Sequence, residues 1–340
     1  MKIGGRLTLD VTLNDENMAY LKQLGADNLM VRIGATAGQP EKLPILSKLR
    51  QGDFWEVADL VALKKLVESG GLGLFGLWHT PFSRWDKIIL GLPGRDRQIE
   101  NWNVSLRNMG KVGIPILQYN WVIDAAAWLA NWRTTDKTIG RGGAHYVSFD
   151  YEVAKEVPTT EFGILTEDEL WDNLTYFLKA VIPVAEEAGV KMAMHPADPQ
   201  VPSLAGIARI VRSSEAYDRM FDVVKSDSNS MVLCLGCFSQ MMDADGVYKA
   251  IYHFAAGKKI GYVHFRTVSG TWEKFDEVYP DEGKLDMLRC IQILRDGVYK
   301  DIIIPDHTPH GAGDTEYGHR GYAFAIGYMK GLLQAASALD

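Results

Sequence analysis

The sequence predicts a closed (β/α)₈ barrel, a TIM barrel, formed by residues 1–340 as a single domain. Short apolar segments typical of buried strands alternate with longer segments of helical periodicity, which is the pattern of a parallel sheet with crossover helices. Eight such pairs can be counted along the chain. Closing eight strands into a barrel leaves none of them as an exposed edge, so we favour a barrel over an open sheet.

The elements follow one another in a regular order. The predicted strands cover approximately 2–7, 28–34, 72–78, 114–120, 191–196, 231–236, 260–266 and 301–306. The predicted helices lie near 14–23, 56–69, 96–111, 166–188, 203–213, 242–256, 283–296 and 319–336. The fourth helix illustrates the reasoning, because Thr166 and Glu169 have the spacing of a capping box and Gly189 suits a left-handed C-terminal cap.

One connection is much longer than the others. The segment 121–165, after the fourth strand, is predicted to be a long loop. Loops of this length in a compact barrel are commonly functional, so we predict that it forms a lid or one wall of the active site.

Composition and charge exclude several classes of protein. The net charge of −7 and the pI near 5.7 argue against nucleic acid as a partner. No apolar run is long enough to span a bilayer, and the first residues lack the apolar stretch of a secretory signal. The 3 cysteines are too few for a disulfide framework and suit a reducing compartment. We therefore expect a cytoplasmic protein without a membrane partner.

Residues of metal-ligand type stand at the ends of four successive predicted strands. They are His195, Cys234, His264 and Asp306. A lone buried histidine or cysteine is commonly a packing residue, but four ligand types at matching depth favour a shared site, because reacting groups gather at this end of such barrels. Imidazole, thiolate and carboxylate suit Mn²⁺, Fe²⁺, Co²⁺ or Zn²⁺ better than Ca²⁺ or Mg²⁺.

Cys234 and Cys237 also match the Cys-x-x-Cys spacing of dithiol redox sites. In those sites the motif opens a helix after a strand, whereas here the first cysteine is predicted to lie inside the strand. We therefore expect Cys237 to be a small, partly buried neighbour of the site.

Candidate acid–base groups follow the last predicted ligand. His307 comes directly after Asp306, where a nearby cation would favour a neutral imidazole base, and Tyr322 could exchange a proton across a substrate. Arg266 alternates to the same face as His264 and could pair with a substrate carboxylate or form a structural salt bridge. Further candidates for contact with the substrate are Asp198, His145 and Arg320.

At these residues the sequence resembles the mannonate dehydratase family, metal-dependent barrel lyases of hexuronate breakdown. The resemblance covers about 80–330. It is carried by 90–96, 169–199, 204–211, Cys234-Leu-Gly, 263–266, 305–307 and 321–332.

The resemblance implies the same four metal ligands and an acid–base pair at His307 and Tyr322. It implies elimination of water from D-mannonate to give 2-keto-3-deoxy-D-gluconate, with Mn²⁺ as the ion, in a homodimer or larger assembly.

The sequence also departs from the family pattern. The departures are at Arg32-Ile-Gly34, Trp78-His79-Thr-Pro81, Lys274-Phe275-Asp276-Glu277 and Thr308. They alter the expected substrate walls, so the exact sugar acid stays open. Two alternatives also stay open: a metal-dependent sugar isomerase or epimerase, which usually has glutamate ligands rather than a cysteine, and a non-catalytic relative that binds a sugar acid.

Overall fold

The fold is a closed barrel of eight parallel strands, which confirms the predicted fold class. A computed structural model describes residues 1–9, 11–34, 48–78, 81–123 and 133–338. Strands are numbered along the chain, including those outside the barrel. The last strand pairs with the first and closes the barrel. In their order around the barrel, the strands are β1 (Lys2–Thr8), β2 (Asn28–Arg32), β3 (Gly73–Trp78), β4 (Ile116–Asn120), β7 (Lys191–His195), β10 (Asn229–Cys234), β11 (Ile260–Phe265) and β14 (Ile302–Pro305).

Helices surround the barrel and fill the connections. The described helices are Asp15–Gln23, Lys48–Gln51, Val57–Ser69, Asp86–Ile89, Arg95–Val112, Tyr151–Ala154, Glu167–Ala188, Ser214–Val223, Leu235–Met241, Ala244–Ala256, Met287–Asp296 and His319–Ala338. The predicted capping box is present, since the Thr166 side chain accepts from the Glu169 N–H and the Glu169 carboxylate accepts from the Thr166 N–H. Within the described part of the chain, no helix has the length and apolar character needed to cross a membrane.

Two apolar layers hold the barrel together. The larger core lies between the strands and the outer helices. A smaller cluster fills the barrel interior and comprises Met30, Phe75, Trp78, Ile116, Ala193, Val232, Tyr262 and Ile304. Gly76 belongs to this packing, because a Cβ atom there would lie 2.6 Å from Met30 Cε and 2.9 Å from the Ile116 carbonyl oxygen. The interior of the barrel is therefore filled by side chains.

The predicted helix at 203–213 is wrong. Strands β8 (Ser203–Leu204) and β9 (Ile207–Ala208) instead form a short antiparallel hairpin. Its two turn residues, Ala205 and Gly206, have φ values of +52° and +87°, and two successive residues with positive φ favour a tight hairpin turn over a helix. The helix begins only after Ser213, whose side chain caps the Ala216 N–H at 3.1 Å.

The long connection after β4 contains strands that the sequence analysis did not predict. Strands β5 (Thr135–Ile139) and β6 (His145–Asp150) form a hairpin, and β6 also pairs with β13 (Lys274–Glu277), which pairs with β12 (Val268–Gly270). A four-stranded antiparallel sheet therefore joins this segment to the connection after β11. Residues 124–132 of the predicted lid lie outside the described residues.

Candidate metal centre and active site

The four predicted metal ligands lie together at the carboxyl end of the barrel. His195 and Cys234 are the last residues of β7 and β10. His264 is the register partner of Cys234 in the adjacent strand β11, and Asp306 directly follows β14. Because parallel strands end at the same mouth of a barrel, residues far apart in the sequence meet here.

The distances bring His195, Cys234 and His264 together and place Asp306 beside two of them. His195 Nε2 lies 3.3 Å from His264 Nδ1. Asp306 Oδ2 lies 3.5 Å from His264 Nδ1 and 3.7 Å from Cys234 Sγ. The donor atoms of His195, Cys234 and His264, here called the thiolate cluster, all lie within 4.8 Å of one another. All four side chains are buried.

Hydrogen bonds behind the two imidazoles fix which ring nitrogen carries the proton. His195 Nδ1 lies 2.8 Å from the Pro196 carbonyl oxygen, so Nδ1–H donates and Nε2 keeps its lone pair. The Tyr262 hydroxyl donates to Gln118 Oε1 and therefore accepts from His264 Nε2 at 3.1 Å, which leaves Nδ1 with its lone pair. Two lone pairs then face each other beside a thiol, an arrangement that a shared cation satisfies.

The charges of the surrounding groups suit such a cation. Burial alone would raise the pKa of Cys234, but Cys237, Arg266 and the two cluster histidines lower that pKa well below its usual value. Burial is likewise outweighed at Asp306, where His264 and neighbouring cations hold the carboxyl pKa well below its usual range. Burial lowers the pKa of His264 and favours its neutral form. Burial would also lower the pKa of His195, but its anionic neighbours, chiefly Cys234, raise that pKa. Thiolate, carboxylate and imidazole are donor types that suit the divalent ion that the sequence predicts.

A second group of ligand-type residues lies nearby but has a different environment. Asp198, Glu277 and His307, here called the carboxylate cluster, also have donor atoms within 4.8 Å of one another. Arg133 Nη2 lies 2.9 Å from Asp198 Oδ2 and 2.6 Å from Glu277 Oε1. Arg266 lies 2.8 Å from Asp198 and 3.0 Å from Glu277. Two guanidinium groups therefore already neutralise these carboxylates.

This network changes the interpretation of two predicted substrate contacts. Arg266 is buried and its guanidinium lies among the carboxylates of Asp198, Glu277 and Asp306, the last at 2.6 Å from its Nε. Asp198 forms salt bridges with both Arg133 and Arg266. Both side chains therefore form salt bridges in this structure, and their contact with a substrate stays a prediction.

The expectations for the Cys-x-x-Cys motif need correction. Cys234 ends its strand, and Cys237 lies within the helix Leu235–Met241 that follows, so the motif does span a strand-to-helix junction. Cys237 is fully buried rather than partly buried. Placement in the strand therefore gives no argument against a dithiol role, and the assignment of Cys234 to a metal depends on its position beside His195 and His264.

A cavity of about 290 Å³ opens beside Asp306, the fourth predicted ligand. The described residues that line it are Arg6, Thr8, Thr12, Val147, Glu277, Asp306, His307, Thr308, His310, Glu316, Tyr317 and Tyr322. His307 Nδ1 lies 2.6 Å from Glu277 Oε1, and its Nε2 lies 3.8 Å from Asp306 Oδ1. Tyr322 is stacked on Tyr317, with ring centroids 4.9 Å apart. Both predicted acid–base groups thus border one cavity, next to a predicted ligand.

The other two predicted substrate contacts are not part of the described cavity wall. His145 is exposed and forms a backbone bridge to His310. Arg320 is exposed, and its guanidinium donates to the Ala312 carbonyl oxygen. His79, one of the departures from the family pattern, lies outside the described residues.

Three site residues were missed by the sequence analysis as functional candidates. Arg6 reaches Asp306 Oδ1 at 3.0 Å from β1, where a charged residue inside an apolar strand was an available signal. Glu277 was noted only as a departure from the family pattern, and Arg133 only as part of the long connection. Their contacts depend on how the antiparallel sheet folds over the barrel, which periodicity does not encode.

The barrel places this chain in a fold class that solved structures share. The fold matches that of the 3-keto-D-glucoside 4-epimerase YcjR from E. coli, with a TM-score of 0.59, 13% identity, and coverage of 97% of this chain and 99% of that chain. It also matches mannonate dehydratase from Streptococcus suis serotype 2, with a TM-score of 0.83, 27% identity, and coverage of 100% and 94%.

The sequence comparisons specify the family within this class. The family model for D-mannonate dehydratase (UxuA) matches residues 25–162 and 159–340. The mannonate dehydratase of Lactococcus lactis subsp. cremoris is 31% identical over 319 residues, 84% of this chain and 88% of that protein. The one from Enterococcus faecalis is 30% identical over 335 residues, 86% and 90%. The chain belongs to the D-mannonate dehydratase family, which confirms the resemblance seen in the sequence.

Proposed function

We propose that this chain is a metal-dependent hydro-lyase that removes water from D-mannonate and gives 2-keto-3-deoxy-D-gluconate. Membership of the D-mannonate dehydratase family supports the reaction class and the substrate. The observation that carries the proposal is the convergence of four metal-ligand side chains beside a cavity lined by His307 and Tyr322.

The metal would be held by His195, Cys234, His264 and Asp306, and we propose Mn²⁺ as the ion, with Fe²⁺, Co²⁺ or Zn²⁺ as substitutes. A divalent ion, when bound, supplies a Lewis acid that increases the acidity of the proton on C2, next to the substrate carboxylate. Support comes from the donor set, in which imidazole, thiolate and carboxylate meet.

The proton transfers are assigned to this chain's own side chains. Because His307 Nδ1 is engaged by Glu277, its Nε2 is the nitrogen available to remove the C2 proton. The Tyr322 hydroxyl donates a proton to the C3 hydroxyl as the C3–O bond breaks, so water leaves and a double bond forms between C2 and C3. The resulting enol loses the proton of its C2 hydroxyl group, gains a proton at C3 and so becomes the 2-keto product.

The wider arrangement is also proposed. Residues 1–340 form one domain, and the segment 121–165 serves as an active-site wall, an assignment supported by Val147 of β6 in the cavity lining. The protein works in the cytoplasm on a small sugar acid, as a homodimer or larger assembly.

The test is incubation of the Mn²⁺-loaded protein with D-mannonate, a panel of other aldonates and neutral ketoses, with detection of 2-keto-3-deoxy products by NMR. D-Mannonate should turn over, and His307→Ala and Tyr322→Phe should each lower kcat by at least about 10²-fold. His253→Ala, at an exposed position on an outer helix, is the matched control and should match the wild type.

Three outcomes would contradict the proposal in different ways. Full turnover by both variants would refute the acid–base assignment. Interconversion of ketoses without dehydration would identify an isomerase or epimerase. Binding of sugar acids without turnover would identify a non-catalytic relative.

A further inference from the structure

The cavity beside the metal centre carries more negative than positive charge from its own residues. Its described lining contains the carboxylates of Glu277, Asp306 and Glu316, and Arg6 is the one lysine or arginine in that lining. A sugar acid brings a further negative charge into this space, so it needs a cationic partner there. Arg266 is occupied among buried carboxylates, and Arg320 lies outside the described wall.

Arg6 is held in a fixed orientation, and its guanidinium group has further N–H donors for a ligand. Its Nη1 lies 3.0 Å from Asp306 Oδ1, and its Cζ lies 4.8 Å from the centre of the Trp78 ring, which supports one face of the guanidinium. The bond to Asp306 is the hydrogen bond that this side chain makes within the described chain, and 16% of the side chain remains exposed at the cavity. A guanidinium has five N–H donors, so several remain available to a ligand.

The position of Arg6 also matches the proposed chemistry. Asp306 separates Arg6 from His307, whose Nε2 lies 3.8 Å from the same Asp306 Oδ1 that Arg6 contacts. A carboxylate bound to Arg6 would therefore lie in the cavity that His307 also lines. The Tyr317 hydroxyl donates to the Arg6 carbonyl oxygen at 3.3 Å, and Tyr317 stacks on Tyr322.

We infer that Arg6 binds the carboxylate of the sugar acid and selects acids over neutral sugars. The inference rests on the proposed function for the identity of the acid. The substrate carboxylate accepts hydrogen bonds from the free N–H groups of Arg6, while Asp306 keeps the guanidinium in place.

The test compares D-mannonate with D-mannitol, which has a hydroxymethyl group in place of the carboxylate. Kinetic constants for mannonate, inhibition by mannitol and bound Mn²⁺ are measured for the wild type, Arg6→Gln, Arg6→Lys and the control Arg97→Gln, which changes an exposed arginine on an outer helix. In Arg6→Gln, KM for mannonate should rise about 10- to 100-fold, with a smaller change in kcat and unchanged inhibition by mannitol. Arg6→Lys should recover part of the loss, and Arg97→Gln should match the wild type.

Since Arg6 also contacts Asp306, a second measurement removes the metal from the comparison. Metal-free wild type and Arg6→Gln are titrated with both ligands by calorimetry at low ionic strength. The wild type should prefer mannonate to mannitol by at least about 10-fold, and the variant should bind both alike. An unchanged preference for the acid in Arg6→Gln would overturn the inference, even if the wild type dehydrates mannonate. If the wild type preferred mannonate to mannitol, and Arg6→Gln lost that preference, but the wild type did not dehydrate mannonate, only the proposed function would be contradicted.

Discussion

The thiolate cluster and the carboxylate cluster contain similar groups at the same mouth of the barrel, but the residues that surround them differ. Each offers three ligand-type side chains with donor atoms within 4.8 Å of one another. In the carboxylate cluster, Arg133 and Arg266 lie 2.6 to 3.0 Å from the carboxylate oxygens. In the thiolate cluster, lone pairs of two imidazoles face each other across 3.3 Å.

The comparison teaches that closeness of ligand-type residues does not by itself define a metal centre. Buried carboxylates need counter-charges, and two arginines supply them for Asp198 and Glu277. Those arginines occupy the positions that a cation would take. Arg266 also borders the predicted metal centre, where its Nε lies 2.6 Å from Asp306 Oδ2 and its Nη2 lies 3.5 Å from the sulfur of Cys237.

The largest expected effect comes from breaking the thiolate cluster. Cys234→Ala removes the thiolate donor, so bound Mn²⁺ should fall well below one ion per chain and kcat/KM for mannonate should drop by at least about 10³-fold. Metal analysis by mass spectrometry and steady-state kinetics measure both quantities. Full metal content in Cys234→Ala would contradict the assignment of the metal to the thiolate cluster. Metal loss in the matched variant Glu277→Gln would show that the carboxylate cluster also holds the metal.

The thiolate cluster could be predicted from the sequence, whereas the carboxylate cluster could not. His195, Cys234, His264 and Asp306 end neighbouring strands, and strand periodicity alone brings strand ends to one mouth. Glu277 instead belongs to β13 of the antiparallel sheet. Its partners become known only once that sheet is placed over the barrel.

The errors in the fold prediction have a similar origin. All eight barrel strands were predicted because buried parallel strands form apolar runs. The hairpin at 203–208 was predicted as a helix because its turn depends on the positive φ of Ala205 and Gly206, which the apolar pattern does not reveal. The β5–β6 hairpin was missed because β5 is polar and largely exposed, so it lacks the apolar run that indicates a buried strand.

The next effect concerns the stability that the carboxylate cluster supplies. Burial would raise the pKa of Glu277, but Arg133, His307 and Arg266 lower that pKa from 4.5 to about 2. A carboxyl with a depressed folded-state pKa stabilises the fold above its unfolded pKa, and this contribution is lost as the pH falls from about 4.5 towards 2. Metal-free Glu277→Gln should therefore be less stable than the wild type by on the order of 3 kcal/mol at pH 7.

Urea denaturation of both metal-free proteins between pH 7 and pH 3 measures this difference. The difference should shrink below about pH 4.5, because the wild-type carboxyl then takes up a proton on unfolding. A difference that stayed constant over the whole range would show that charge pairing at Glu277 does not account for it.

A smaller effect concerns catalysis by the carboxylate cluster. The Glu277 carboxylate contacts Nδ1 of His307 and holds the imidazole ring in its orientation. Glu277→Gln should therefore lower kcat for mannonate by at least about 10-fold while KM and bound Mn²⁺ change little. Glu277→Asp, which keeps the charge on a shorter side chain, should restore part of the rate. An equal loss in the Asp and Gln variants would mean that the shape of the residue matters more than its charge.

The smallest effect separates the two cysteines of one motif. Burial raises the pKa of Cys237 well above its usual value and keeps its thiol neutral, in contrast to Cys234. Cys237→Ala should therefore retain full Mn²⁺ and lose only about 1 kcal/mol of stability, the cost of a small buried group. If instead Cys237→Ala lost the metal as Cys234→Ala does, both sulfurs would belong to the site.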